Sequence, residues 1–331
     1  MSDLEIIAFG PDDTELLAHH VEVVNTVRRH DAPWTRERTL RQAEGIYRHG
    51  WDDDAAVPVL ARLGGEPVAA GEHDVGTWDN RHLAWVQVLV HPDHRRRGLG
   101  SELLGWHEER ARAAGCTSLG TDGWDSPATR EFGARHGLEV RSAAVLRRQR
   151  PADLSPSRLD ALAAEAWSAA ADYELVHRDG PTPDDELAAL AELTAAINDA
   201  PTDDLDIEDE VYTPERIRAY ERAWADRGDR MYRLLARHRA TGELAGQSVV
   251  VVDGERPEQA SQHDTSVARA HRGHRLGLLL KTEMVRWLRE TEPRLESLDT
   301  WNAGSNEHMI AVNERLGYVA LGRELELQKA L

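Results

Sequence analysis

Residues 88–105 read VLVHPDHRRRGLGSELLG. The stretch opens as a strand, because Trp85, Val86, Val88, Leu89 and Val90 make a near-continuous run of β-formers. Pro92 has no N–H to give to a ladder, so His91-Pro92-Asp93 ends the strand. Arg95-Arg96-Arg97-Gly98-Leu99-Gly100 then leads into a helix with Leu99, Leu103 and Trp106 on one face. Strand, glycine-containing turn and helix start together make a place to hold phosphate. The first helical amides lack internal acceptors, and the helix dipole favours negative charge there. Gly98 and Gly100 let backbone approach a ligand closely, and three arginines add charge-assisted donors. The loop is neither G-x-x-x-x-G-K-[ST] nor G-x-G-x-x-G, so it does not read as a triphosphatase loop or a dinucleotide fingerprint.

Working outward, periodicity and breakers predict strands over 4–9, 55–63, 68–73, 83–90, 118–121 and 138–148. Helices are expected over 12–30, 36–49, 98–114 and 127–136, the last stopped by Gly137. Residues 151–171, with Pro151, Ser155, Pro156 and an alanine-rich run, read as a connector. A similar order then begins again: strand 173–177, helices 183–197 and 214–227, strands 231–238, 244–252 and 259–267, helix 277–290, strand 295–300, helix 305–316 and strand 318–327. Sliding the chain by 177 residues superimposes Val90, His94, Arg95, Leu99, Gly100 and Leu103 on identical Val267, His271, Arg272, Leu276, Gly277 and Leu280. After a three-residue insertion, Gly137-Leu138 falls on Gly317-Tyr318. The chain carries two copies of one fold.

Arg95-x-x-Gly98-x-Gly100 behind a V-x-V-x-P strand end resembles the GCN5-related N-acetyltransferases, the GNAT family. The second copy adds Q-x-D-T-x-V before HRGHRLG, and T-W-N-A-x-x-N-x-x-M-x-x-V-N-x-x-L-G-Y after it. These are similar to a tandem GNAT group of actinobacterial type. The resemblance implies an α/β protein of two tandem GNAT domains, each a mixed, mostly antiparallel sheet flanked by helices. The expected bounds are 1–150 for the first, 151–171 for the linker and 172–331 for the second.

The resemblance also implies acetyl-CoA as cosubstrate. Carried over position by position, its contacts fall on Val88, Val90, Arg95, Arg96, Arg97, Gly98, Leu99, Gly100 and Ser101 in the first copy. In the second they fall on Thr265, Val267, Arg272, Gly273, His274, Arg275, Leu276 and Gly277, with Asn302 and Asn306 toward the pantetheine arm. Arg275 stands where Gly98 stands, which narrows the room for backbone approach. Asn302 and Asn306 suit the amides of the arm, or cap a helix.

Composition narrows the function. The 331 residues are 40% hydrophobic and 30% charged, with no apolar run approaching a membrane span. The acidic first segment, MSDLEIIAFG, is too short in apolar length for a signal peptide. Cys116 is the only cysteine, so no intrachain disulfide forms. All this fits the cytoplasm; a monomer or homodimer is expected, although the sequence itself is silent on oligomerisation. A net charge of −19 argues against nucleic-acid and anionic-membrane partners and is compatible with a cationic small-molecule amine. The pairs His91/His94 and His271/His274 lack a third ligand at usual spacing, so no metal is expected.

Acetylating an amine is helped by a base or a water chain, because neutralising an alkylammonium of pKa about 10.4 at pH 7 costs roughly 4 kcal/mol. The family's usual carboxylate falls on Ala84 and Ser261, and its usual acid, a Tyr, falls on Gly133 and Asn313. The second copy offers Asp264 and His263 nearby, and these two are the expected catalytic pair. The first copy then either binds acyl-CoA structurally or draws its base from elsewhere. The acidic run 203–210, with six carboxylates in eight residues, is either a solvated loop or a field that recruits a polycation. The leading reading is an N-acetyltransferase acting on a small, cationic metabolite or antibiotic by direct transfer in a ternary complex. The alternatives are a non-catalytic acyl-CoA sensor, or a transferase of another acyl group.

Overall fold

The computed structural model describes residues 3–331. In chain order the first half runs β1 (Leu4–Ala8), α1 (Thr14–Asp31), α2 (Leu40–His49), β2 (Val57–Leu63), β3 (Glu66–Val75), β4 (Leu83–Val90), α3 (Leu99–Ala113), β5 (Ser118–Trp124), α4 (Pro127–His136) and β6 (Glu139–Gln149). The second half runs α5 (Pro156–Trp167), β7 (Tyr173–Arg178), α6 (Leu187–Thr194), α7 (Pro214–Asp226), β8 (Arg230–His238), β9 (Leu244–Val252), β10 (Gln259–Val267), α8 (Leu276–Thr291), β11 (Ser297–Ala303), α9 (Glu307–Arg315) and β12 (Val319–Ala330). The chain forms two compact units. Unit 1 takes residues up to 144 with 202–209 and 322–331, and unit 2 takes 145–201 and 210–321.

In unit 1 the strands lie in the order β1-β2-β3-β4-β5, with the later part of β12 on the other side of β5. The pairs β1–β2, β2–β3, β3–β4 and β5–β12 are antiparallel, and β4–β5 is parallel. Period-2 alternation sends side chains to opposite faces. Leu60 of β2 and Ala70 of β3 meet Val23 and Val24 of α1, while Val59, Ala61 and Ala69 meet Leu103 of α3. Helix starts follow local chemistry: Asp13 accepts from the Leu16 amide, and Thr39 makes a capping box with Gln42. Each such cap is worth about 1 kcal/mol.

Unit 2 repeats the plan in the order β11-β10-β9-β8-β7, with β10–β11 parallel and the others antiparallel. Nearly every residue of β9 is buried, as expected for a strand with helices on both faces. Leu234 and Ala236 of β8 join the α8 core, whereas Leu235 joins α6.

Three sequence expectations are corrected. The 151–171 segment is not a linker. Leu159, Leu162 and Ala166 of α5 pack into the core of unit 2 with Leu280 and Met284 of α8, because the alanine-rich helix carries an apolar stripe. The domain bounds differ too, since 145–149 belongs to unit 2 and 322–331 to unit 1. The helix expected over 183–197 is α6 alone, flanked by short 3₁₀ turns at Asp184–Glu186 and Ala195–Asp199.

Candidate functional site

Each unit has the same sharp corner between a parallel-paired strand and a long helix. In unit 1 two residues of the corner are left-handed, Arg96 (φ 63°) and Gly98 (φ 88°). In unit 2 the same two positions are Gly273 (φ 87°) and Arg275 (φ 55°). The backbone path is shared, and the glycine and the arginine have exchanged places. Arg275 therefore does not abolish the corner. Among the described residues, no amide of 96–100 or 273–277 donates to a backbone acceptor, so both corners present open N–H groups at a helix N-terminus. Leu99 and Leu276 are buried, so only their amides can face a ligand.

The arginine side chains divide by role. Arg95 is a brace: its Nε donates to the Val90 carbonyl at 3.0 Å and its fork grips Asp31 of α1 at 2.9 and 2.6 Å. Arg272 repeats this with the Val267 carbonyl (3.2 Å) and Asp199 (2.5 Å). Both were expected at the phosphate, but their guanidiniums are committed to carboxylates. Arg275 pairs with Glu165 of α5 at 3.1 Å, and His274 Nδ1 lies 3.3 Å from the Ala169 carbonyl. Arg96 reaches Glu131 at 3.3 Å. Arg97 is exposed with no hydrogen-bond or ion-pair partner among the described residues, so unit 1 retains a free cation at its corner. Gly100 sits against Val88 and Val90, where an added Cβ would come 3.4 Å from Val90 and 3.3 Å from Phe132. The Ser101 hydroxyl pairs with His136 at 2.9 Å.

Behind each corner the parallel strands separate. Pairing of β4 with β5 ends at Val86↔Thr121, and pairing of β10 with β11 ends at Ser261↔Asp299. The units differ on the other side of that strand. The β3–β4 register is unbroken, whereas β10 bulges against β9 between Gln262 and Thr265. A bulge leaves backbone groups unpaired and re-aims side chains, and His263 and Asp264 are the residues it carries. Thr265 resumes the ladder opposite Ser248, with the hydroxyls 3.1 Å apart.

Asp264 is half-buried, and among the described residues no hydrogen bond holds its carboxyl. Burial, reinforced by Glu210, pushes it up to about 6, while Arg233 pulls the other way. Arg233 is itself tied to Glu221 at 2.7 Å. Glu210 accepts from the Tyr212 hydroxyl, and Arg216 lies over the Tyr212 ring at 4.9 Å. His263 is different. Its Nδ1 lies 2.6 Å from the Tyr220 hydroxyl and its ring meets Trp224 at 4.6 Å. Burial drives it down to about 3, so it stays neutral and accepts protons poorly. The expected pair thus separates into an unengaged carboxyl and a packed imidazole.

The sequence profile of the Acetyltransferase (GNAT) family matches residues 24–138 and 195–318, once in each half. The chain belongs to the GNAT family. Among solved structures, this GNAT chain is similar to a tandem GNAT protein from the clavulanic acid biosynthesis pathway, at 27% identity and a TM-score of 0.80, over 99% of this chain and 98% of that one. It is also similar to a GCN5-related N-acetyltransferase from Sphaerobacter thermophilus (18% identity, TM-score 0.68, 99% and 95% covered). One from Kribbella flavida matches at 17% identity and a TM-score of 0.53, over 99% and 71%. No curated protein is similar enough in sequence to count as a relative. Two tandem GNAT repeats, each a mixed sheet with flanking helices, are what the expected fold required. No helix among the described residues is long and apolar enough to cross a membrane.

The remaining expected contacts of the GNAT chain fall as follows. Asn306 caps α9 by accepting from the Met309 amide at 3.2 Å. Asn302, beyond the last β10–β11 pair, accepts from Asn313 at 2.7 Å. The acidic run is mostly exposed, as a solvated loop would be, and most of its anchors lie in unit 1. Ser142 donates to Asp203 at 2.8 Å, the Asp206 amide donates to Gln328 at 2.7 Å, and the Glu208 carboxylate accepts from the Asn80 amide at 3.0 Å, all within unit 1. Only Glu210 acts on Asp264.

Sequence reasoning missed one constellation. In unit 1, Asp122 of β5 accepts from Trp85 Nε1 at 3.0 Å and faces Glu324 of β12; burial raises both carboxyls, the Asp122 charge raises Glu324 further, and the hydrogen bond between them leaves the proton on Glu324. Nearby, Glu72 is held by Tyr47 (2.6 Å) and Arg38 (2.8 Å). No local signal marks the pair, because Glu324 arrives on the chain's last strand.

Proposed function

We propose that unit 2 transfers an acetyl group from acetyl-CoA to the primary amine of a small, cationic metabolite or antibiotic, by direct attack in a ternary complex. The observation that carries this reading is Asp264: an unengaged, half-buried carboxyl on a strand bulge, in the same unit as a corner of open amides. The corner's N–H groups suit a pyrophosphate. Asp264, poised near neutrality, suits the removal of a proton from an ammonium. Glu210 and Asp264 together favour a cationic acceptor, and Tyr212 and Arg216 frame that edge. Direct transfer is supported by the lone thiol: Cys116 is buried in unit 1 and burial raises its pKa, which makes it a poor acyl carrier.

Unit 1 is proposed as an acyl-CoA binding module. Its free Arg97 and open amides favour binding, and its unbroken β3–β4 register leaves no re-aimed side chain at the split. Free-thiol release from acetyl-CoA over a panel of polyamines, aminoglycosides and lysine-like amines tests the transferase. Titration calorimetry with acetyl-CoA tests binding. Binding without thiol release on any amine would favour an acyl-CoA sensor.

A further inference from the structure

Unit 2 contains a buried polar cluster that the chemistry above does not use. Lys281 lies on the second turn of α8 and is 2% exposed. It is one of two lysines in a chain with forty basic residues; the other, Lys329, is paired with Glu108. No described residue gives the Lys281 ammonium a hydrogen bond or a carboxylate. Its one close partner is the face of the Tyr318 ring, 4.9 Å away. Asp299, which acts on Tyr318, is already gripped by both arms of Arg148 at 2.7 and 2.8 Å.

The Tyr318 hydroxyl and Asn313 Oδ1 are buried without a hydrogen-bond partner among the described residues, and the Tyr318 amide donates to the Asn313 carbonyl at 3.0 Å. Asn313 is wholly buried, and its amide nitrogen is the donor to Asn302 in the separated part of β11. Tyr318 shares its core with Ala260 of β10, Leu298 of β11 and Val312 of α9. Ala260 and Leu298 are still paired, one step before β10 and β11 part, so the cluster sits between α8 and α9 beside the point of separation, and Asn313 reaches Asn302 beyond it. Lys281 follows the open corner by five residues of helix, about 7 Å of rise. The matching positions of unit 1, by the sequence repeat, are Leu104, Gly133 and Leu138, so the same region there is apolar. A buried cation without a counter-charge is expensive, and the orphaned hydroxyl of the ring it faces compounds the cost. Such an arrangement is retained where an anion completes it.

We propose that this cluster is the leaving-group site of unit 2, with Lys281 receiving the thiolate of coenzyme A. The inference rests on the acyl-CoA reading of unit 2. When the acceptor nitrogen bonds to the acyl carbon, the C–S bond breaks and its electron pair stays on sulfur. The Lys281 ammonium holds that sulfur as a thiolate, which takes a proton from solvent as coenzyme A leaves, while the proton shed by the amine goes to Asp264. Asp264 then returns its proton to solvent, which resets the site. One thioester and one amine then give one amide and one thiol. Burial alone, with no charge opposing it, brings Lys281 down to about 7, close to the thiol it serves.

The test uses the full chain with Cys116→Ser, so that coenzyme A supplies the only thiol. The ultraviolet thiolate signal of bound coenzyme A is titrated against pH, with calorimetry of coenzyme A and desulfo-coenzyme A alongside. The expected result is a bound thiol at least one unit below the free value of about 8.5, tenfold more thiolate at a given pH. Lys281→Met restores the free value while still binding desulfo-coenzyme A, and it melts higher when unliganded. Coenzyme A bound with an unshifted thiol, or a shift that survives Lys281→Met, overturns the inference and leaves the acyl-CoA reading standing. Failure of the parent chain to bind coenzyme A overturns both.

Discussion

Asp264 and His263 stand side by side in the sequence, and the bulge gives them opposite fates. A polar pair within a strand was legible as unusual. Which of the two stays free depends on Tyr220 and Trp224 of α7, which no local pattern places beside His263. Asp264→Asn should lower kcat/KM for the amine substrate by about 10²–10⁴-fold with acetyl-CoA binding unchanged, read by thiol release and calorimetry. Activity of the parent should rise with pH through about 6, as the base loses its proton, and that limb should vanish in the variant. Unchanged turnover in Asp264→Asn would remove the carboxyl from the mechanism. Stability moves oppositely. The folded carboxyl has a pKa above its unfolded value of about 3.9, so the stability tied to its protonated form is present below that value. It is lost as pH rises through about 6. Asp264→Asn should therefore melt higher than the parent at pH 8 and equally at pH 3.5. The Asp122–Glu324 pair follows the same sign, both carboxyls being raised. Glu324→Gln should stabilise unit 1 increasingly above about pH 4.3, measured by thermal melting at pH 5 and pH 8.

At the scale of elements, the strand–corner–helix unit was the most legible part of the chain. In the first copy its strand ends just before Pro92, both helices start within one residue of the expected positions, and the unit occurs twice at a fixed offset. The side-chain assignments were less legible. R-x-x-G-x-G marks a corner, but it does not say that the first arginine braces α1 through Asp31 or that Arg275 answers Glu165. Those partners lie far away in sequence. The exchanged left-handed positions make opposite predictions within one corner. Gly98→Ala forces a Cβ into φ 88° and should cost about 1–2 kcal/mol, while Arg96→Gly relieves φ 63° and should gain up to about 1 kcal/mol. Differential melting of the two variants checks both signs. Losses in both would mean that the Arg96 contact with Glu131 outweighs the backbone term.

For the molecule as a whole, the duplication was readable, and the assignment of strands to units was not. Nothing in residues 322–331 states that they complete the first copy rather than the second. The evidence lies in pairing: seven residues of β12, from Glu324 to Ala330, lie opposite β5 in antiparallel register. Leu325 and Leu327 are buried in unit 1 with Leu104, Leu119 and Leu138. Burying two leucines contributes roughly 3–6 kcal/mol, before the ladder hydrogen bonds are counted. Ending the chain after Leu321 should therefore melt unit 1 while unit 2 remains folded. Hydrogen exchange should show protection lost in β4, β5 and α3 and kept in β8–β10. Uniform loss across both units would contradict the division.

That same strand has a consequence for biosynthesis. Translation runs at about 5–20 residues per second, so the ribosome delivers β5 on the order of ten seconds or more before the segment that covers its edge. During that interval the nascent first half carries an uncapped strand, a ready template for pairing with a neighbouring polypeptide. The half encoded first is thus the half that matures last, and its yield in a cell should depend on holdase chaperones more than that of its twin.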